Sequence, residues 1–208
     1  MAPRRYTMGN RAAAVQARRA GIVSAAIELF AERTAAATTM EDIARAAGVA
    51  PATVYRQFGD FDGLADACAE TAFHIVEIPT PEVAVAPFAH LPSLGEKVLR
   101  FIEISCHCYE RARPWLAAER RERHLPAFDR TVSREEAALG AIVSGLLVDA
   151  DASTRSVVHA LVDFPFWESL RRAGVPADRI PGVMFDIVSD ELRRTGIRAD
   201  RPEGRNQP

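Results

Sequence analysis

Thr53, Tyr55, Arg56 and Gln57 stand within five residues of one another and carry the hydrogen-bonding groups with which proteins touch duplex DNA. The Thr53 and Tyr55 hydroxyls can donate to phosphate oxygens, the Arg56 guanidinium can pair in bidentate fashion with a guanine edge, and the Gln57 amide with an adenine edge. This chemistry needs a helix with a slim end that can enter a major groove, and Pro51 and Ala52 make a short, uncharged tip just ahead of the polar set. Val54 and Phe58 lie one turn apart and point the other way, into a small core. The alternative is an ordinary helical hairpin with a solvated polar face, which accounts for neither the spacing nor the tip.

The elements that position this set are also readable. Thr39 with Asp42 has capping-box spacing, and Met40, Ile43, Ala44 and Ala47 then recur at helical intervals, which predicts a first helix of about two turns. Gly48 supplies the stop, since a residue with φ > 0 can end the helix there without a Cβ clash. Pro51 suits the first turn of the next helix, where its missing N–H costs nothing. Ala44, Gly48 and Val54, at offsets of four and ten, answer three separate demands of a helix-turn-helix: a small residue where helices cross, a permissive turn, and a branched residue beneath the second helix.

From Arg18 to Leu64 the chain resembles the DNA-binding domain of the tetracycline-repressor (TetR/AcrR-like) family, with AAIELFAER on a first helix, then TTMEDIARAAGV, the TVYRQF of a recognition helix and a fourth helix opening near Phe61. The resemblance covers about the first third of the chain. It implies an all-α protein with an N-terminal three-helix helix-turn-helix DNA-binding domain, residues 18–60, followed by a larger helical ligand-binding and dimerisation domain, residues 61–208. It also implies a homodimeric transcription factor, usually a repressor released from its operator by a small molecule, with DNA contacts at Thr39, Pro51, Ala52, Thr53, Tyr55, Arg56 and Gln57. Where the family commonly places a phosphate-touching lysine, at the opening of the fourth helix, this chain has Phe61 between Asp60 and Asp62. An activator or a corepressor-dependent regulator would use the same residues, and the identity of neighbouring genes would separate these readings.

Composition agrees with two helical domains. The chain has 208 residues, 48% of them hydrophobic, and a net charge of −2, so the whole molecule is not a general polyanion binder. Charge is unevenly placed: residues 1–60 hold 8 basic against 5 acidic side chains, residues 61–208 hold 18 against 23. Positive potential thus gathers at the reading end. Residues 1–17 form a basic N-terminal arm, with Arg4, Arg5 and Arg11 and no acid, which either follows the DNA backbone or is a solubilising tail. The single lysine, Lys97, against 25 arginines suggests a biased genome composition rather than a functional demand. Neither a long apolar run nor an apolar signal core is present, so a cytoplasmic protein without membrane contact is expected. Cys68, Cys106 and Cys108 are odd in number, and the close pair would point about 200° apart on a helix. They read as small buried hydrophobes, and no metal or cofactor is expected. A different class, an enzyme or binding protein with a vestigial reader, finds no support from a G-x-S-x-G elbow, P-loop, H-E-x-x-H or C-x-x-C, and the histidines at 74, 90, 107, 124 and 159 are scattered.

Beyond the reader the pattern stays helical. The prolines at 79, 81, 87 and 92 mark either an ordered crossover or a mobile segment, and Ser93 with Glu96 is a second capping box opening a new helix. Pro114 is expected to end that helix and to start a short one bearing Trp115 and Leu116, with a longer helix after Pro126. Two last helices, roughly 152–172 and 178–194, form a hairpin joined through Gly174, Val175 and Pro176, the first kinked at Pro165. The apolar stripes include Val158, Leu161, Trp167, Val183, Met184 and Ile187, wide enough for a subunit interface of the kind the family builds from its last two helices, with burial inside one chain as the alternative. Phe101, Cys108, Trp115, Phe128, Val143 and Phe164 are candidate walls of a ligand pocket, each also explicable as plain core, and an uncharged, largely hydrophobic small-molecule effector fits them best. His107, Tyr109 and His124 are the polar groups nearest that set in sequence.

Overall fold

The computed structural model describes residues 8–76 and 85–202, and every regular element among them is helical. In chain order these are α1 (Met8–Glu32), α2 (Met40–Ala46), α3 (Pro51–Phe58), α4 (Phe61–Val76), α5 (Leu94–Arg121), α6 (Pro126–Leu146), α7 (Ala152–Val162), α8 (Phe164–Arg172) and α9 (Ile180–Arg194). The chain divides into two compact units, one of Met1–His74 with Pro114–Val132 and one of Ile75–Arg113 with Ser133–Pro208. The unit that contains the reader therefore extends past the expected boundary at residue 60, taking in most of α4 and a later stretch of chain. Residues 8–17 of the expected arm form the start of α1, whereas residues 1–7 lie outside the described residues.

In the first unit Ile22, Ala26 and Phe30 of α1, Ile43 and Ala44 of α2, Val54 of α3, and Leu64 and Cys68 of α4 are buried in a common apolar interior. Phe30 is the hub: its ring lies 5.6 Å from that of Phe61 and 5.7 Å from that of Phe128, and Phe128 stands 5.5 Å from Trp115. The Arg121 guanidinium closes the end of α1, donating to the carbonyls of Phe30 at 2.7 Å and Arg33 at 2.5 Å. Those carbonyls are among the last of a helix, which have no partner within it, so a cation placed there satisfies them and complements the helix dipole.

The second unit is held by α5, α7, α8 and α9. Phe164, Trp167 and Tyr109 form one aromatic cluster, with Tyr109–Phe164 at 5.7 Å and Tyr109–Trp167 at 5.9 Å, and the Tyr109 hydroxyl donates to the Val162 carbonyl at 2.9 Å. Glu168 is buried but satisfied, accepting from Arg113 at 2.9 and 3.2 Å and from Arg172 at 2.8 Å, which ties α8 to α5. Phe88, in a single 3-10 turn at Ala86–Phe88, packs edge-on against Phe101; residues 77–84, with Pro79 and Pro81, lie outside the described residues.

Two expectations about prolines need correction. Pro114 does not end a helix: α5 runs through it from Leu94 to Arg121. Proline removes one backbone hydrogen bond, but Ala112 before it and Trp115, Leu116 and Ala118 after it are all buried, and that continuous apolar stripe holds the helix across the defect. Pro165 does more than kink its helix. The chain breaks into α7 and α8 at Asp163, which has extended backbone (φ −76°, ψ 159°) and caps α8 by accepting from the Phe164 N–H at 2.6 Å. The residue two before a proline in the first turn is well placed to serve as such a cap.

Candidate DNA-reading surface

The reader is assembled from local signals. At the start of α2 the Thr39 hydroxyl accepts from the Asp42 N–H at 3.1 Å and donates to the Asp42 carboxylate at 2.8 Å, while that carboxylate accepts from the Thr39 N–H at 3.3 Å, completing the capping box. Arg45 adds an ion pair to Asp42 at 2.9 Å. The hydrogen bonds from Thr39 come first, and the Arg45 charge adds to them, so the Asp42 carboxyl is held below its ordinary value. At the far end of α2, Gly48 has φ 66°, and the N–H groups of Gly48 and Val49 reach the carbonyls of Arg45 (3.2 Å) and Ala44 (2.9 Å), a Schellman stop. Pro51 then occupies the first turn of α3, whose N-cap, Ala50, offers no side chain to the first N–H groups.

Within α3, Val54 and Phe58 are buried, Pro51, Ala52, Tyr55 and Arg56 are exposed, and Thr53 and Gln57 are half-buried. Gln57 is less outward than its position suggested: its side-chain oxygen is buried without a hydrogen-bond partner. Its backbone carbonyl accepts from Arg19 at 3.3 Å, and the Arg19 guanidinium lies 4.4 Å above the Phe58 ring. Arg19 therefore anchors the C-terminal end of α3 through a helix-end carbonyl and a cation–π contact. Arg56 has neither an ion pair nor a side-chain hydrogen bond among the described residues, so its guanidinium is available to a base edge. Tyr55 is exposed, with its hydroxyl donating to the Glu41 carboxylate at 3.3 Å. Partial desolvation of the phenol first, and the Glu41 charge second, raise its pKa, so it stays a donor.

The opening of α4 departs from a phosphate-binding design. Phe61 turns its ring onto Phe30, and Asp60 accepts from the Gly63 N–H at 2.9 Å, so a carboxylate occupies the helix end where an anchor cation would serve. A Cβ on Gly63 would overlap the Phe58 carbonyl oxygen, so the close passage of α4 past the end of α3 requires glycine there.

A family model described as bacterial regulatory proteins, tetR family, matches residues 22–68, which span the end of α1, all of α2 and α3 and the first half of α4. Residues 22–68 are a TetR-family DNA-binding domain. Solved structures extend the likeness in fold across most of the chain. A TetR-like transcriptional regulator from Rhodococcus sp. RHA1 is 23% identical with a TM-score of 0.61, covering 86% of this chain and 94% of its own. NalD of Pseudomonas aeruginosa, the secondary repressor of the MexAB-OprM multidrug efflux pump, is 18% identical with a TM-score of 0.62 over 86% and 96% of the two chains. LfrR of Mycobacterium smegmatis, solved in complex with proflavine, is 21% identical with a TM-score of 0.56 over 86% and 97%. No curated protein sequence matches the chain.

The remaining candidate residues of the chain separate into groups. Trp115 and Phe128 pack on each other in the first unit, while Phe101, Cys108, Val143 and Phe164 belong to the second, Phe101 against Phe88 and Phe164 against Tyr109 and Trp167. His107 and His124 are at the surface. Of the nominated interface set, Val158, Trp167 and Met184 are buried inside their own chain, Leu161 and Val183 are half-buried, and Ile187 is 37% exposed, together with Val157 at 38%, which the sequence reading did not single out. Cys68 and Cys106 are buried thiols; burial pushes both up, Cys106 to about 12, so they remain protonated. No helix among the described residues is long and apolar enough to cross a membrane.

Proposed function

We propose that this TetR-family transcriptional regulator is a homodimeric repressor that reads an inverted-repeat operator and is released from it by a small hydrophobic ligand. The observation that carries the DNA reading is the division of α3 into a buried side, Val54 and Phe58, and an exposed side on which Pro51, Ala52, Tyr55 and Arg56 stand free of the core. A helix divided in this way, with a slim, uncapped N-terminal end, can enter a major groove and present Arg56 to base edges while Thr39, Thr53 and Tyr55 reach phosphates. Gln57 joins the base-reading set through its amide nitrogen. Enrichment of bound duplexes from a randomised pool is the test. It should return two half-sites in inverted orientation, with a guanine at one position of each; recovery of no common sequence would overturn the reading.

Two-fold pairing through α7 and α9 is supported by exposed or half-buried apolar side chains on both helices, namely Val157, Leu161, Val183 and Ile187. Such a pairing sets two recognition helices about one duplex turn apart or somewhat more. The ligand reading rests on the apolar side chains of the second unit, Phe101, Cys108, Val143 and Phe164. LfrR in complex with proflavine gives a precedent in a protein of this fold. Effector and operator must then oppose each other by the same free energy in both directions. Intrinsic tryptophan fluorescence, from Trp115 and Trp167 alone, titrated with neutral aromatic compounds in the presence and absence of operator, tests that reciprocity.

A further inference from the structure

Two of the three hydroxyls assigned to phosphate, those of Thr39 and Tyr55, are already donating, each to a carboxylate of the first turn of α2: Thr39 to Asp42 at 2.8 Å and Tyr55 to Glu41 at 3.3 Å. A phosphodiester oxygen, like an ionised carboxylate, accepts and cannot donate, so each hydroxyl proton can serve one of them at a time. The two carboxylates are otherwise unlike. Asp42 is built into the fold, bonded by the backbone of its own helix start and ion-paired with Arg45, and removing it would damage the helix cap. Glu41 is exposed, has no ion-pair partner among the described residues, and its side-chain hydrogen bond is to Tyr55, 14 positions along the chain on the reading helix. An acid with an uncompensated charge on the face that meets DNA opposes binding. Its place in the first turn of α2 favours the helix dipole, which a partner on the same helix would serve equally well.

Resting on the DNA-reading function proposed above, we infer that Glu41 is an intramolecular competitor for the phosphate contact of Tyr55 and lowers the affinity of the reader for DNA backbone irrespective of sequence. In free protein the Tyr55 hydroxyl sits on Glu41. A phosphate must displace that carboxylate to gain the hydroxyl, and the two anions repel each other while it does so. On duplex that offers no base contact for Arg56, little compensates this step, so background binding stays weak.

The test needs no operator. Binding of a labelled duplex of mixed sequence is followed by fluorescence anisotropy at low salt for wild type, Glu41→Ala, Glu41→Gln, Tyr55→Phe and the double variant Glu41→Ala with Tyr55→Phe, each checked for wild-type helicity. Glu41→Ala should tighten binding about five- to tenfold, combining loss of charge with release of the hydroxyl, whereas in the Tyr55→Phe background the same change should give only about twofold, the effect of the charge. Glu41→Gln, which keeps a neutral acceptor, should fall between these limits. Equal factors in the two backgrounds would show that Glu41 acts as a bare surface charge and would overturn the inference while leaving DNA reading intact. Absence of salt-dependent duplex binding by wild type and every variant would instead refute the DNA-reading function, and the inference with it.

Discussion

Gly63 and Gly21 are both helical glycines, and the structure assigns opposite signs to their replacement by alanine. In α1, a Cβ on Gly21 would meet no heavy atom within 4 Å, so Gly21→Ala gains helix propensity and reduces the freedom of the unfolded chain, a stabilisation of about 0.5–1 kcal/mol. In the first turn of α4, a Cβ on Gly63 would overlap the Phe58 carbonyl oxygen. The obstacle is backbone, at the last residue of α3, and no side chain can swing aside to relieve it. Separating the two segments costs about 1–3 kcal/mol, as overpacking generally does, and the gain in helix propensity offsets about 1 kcal/mol of it. The net destabilisation of up to about 2 kcal/mol corresponds to a fall in melting temperature of up to about 8 °C for a chain of this size. Thermal unfolding followed by far-ultraviolet circular dichroism measures both variants against wild type. Because the displaced group is the end of the recognition helix, operator affinity should fall for Gly63→Ala and not for Gly21→Ala. A Gly63→Ala protein that melts at or above wild type and binds DNA normally would refute the packing argument.

Arg56→Ala should cost about 1–3 kcal/mol of operator binding and relax preference at one base pair in each half-site, measured by competition over a randomised operator; an even loss across sequences would reassign Arg56 to phosphate. Ile187→Asp places a charge on the exposed apolar face of α9 and should yield a monomer with weakened operator binding and a folded reader, read by light scattering with anisotropy. Asp42 contributes stability because its folded pKa lies below its unfolded one. That contribution is complete above the unfolded pKa and is lost as pH falls through the lower folded value, so the difference in denaturation midpoint between wild type and Asp42→Ala should shrink towards strongly acidic pH. Thr39→Ala removes the N-cap hydroxyl of α2 and should cost about 1 kcal/mol in urea unfolding.

The parts of the reader legible in sequence are those whose partners lie within a few residues. Both capping boxes, Thr39 with Asp42 and Ser93 with Glu96, form as their spacing predicts, and Gly48 and Pro51 stop and start helices where expected. Features fixed by distant partners were not legible. Nothing near Tyr55 announces Glu41, nothing near Gln57 announces Arg19 from 38 positions away, and the departure at Phe61 was visible without the ring of Phe30 that receives it. Pro114 misleads because a proline's local cost is read from sequence whereas the burial of Ala112, Trp115 and Leu116 that offsets it is not. The same holds for the stripes on α7 to α9. Val158, Trp167 and Met184 share the spacing of Leu161, Val183 and Ile187, and only packing reveals which neighbours cover which side.

The division of α3 has an evolutionary consequence. The residues that hold the helix in place, Val54 and Phe58, are separate from the exposed Pro51, Ala52, Tyr55 and Arg56. Exposed substitutions away from caps and buried partners usually change stability by no more than about 0.5 kcal/mol, so Ala52 and Arg56 can drift with little cost to folding. A descendant of this chain can therefore acquire a new operator through single replacements on one surface while its scaffold stays unaltered. Tyr55 is the exception on that face: because its hydroxyl is shared with Glu41, the two positions should change together in any lineage that gives up the phenol.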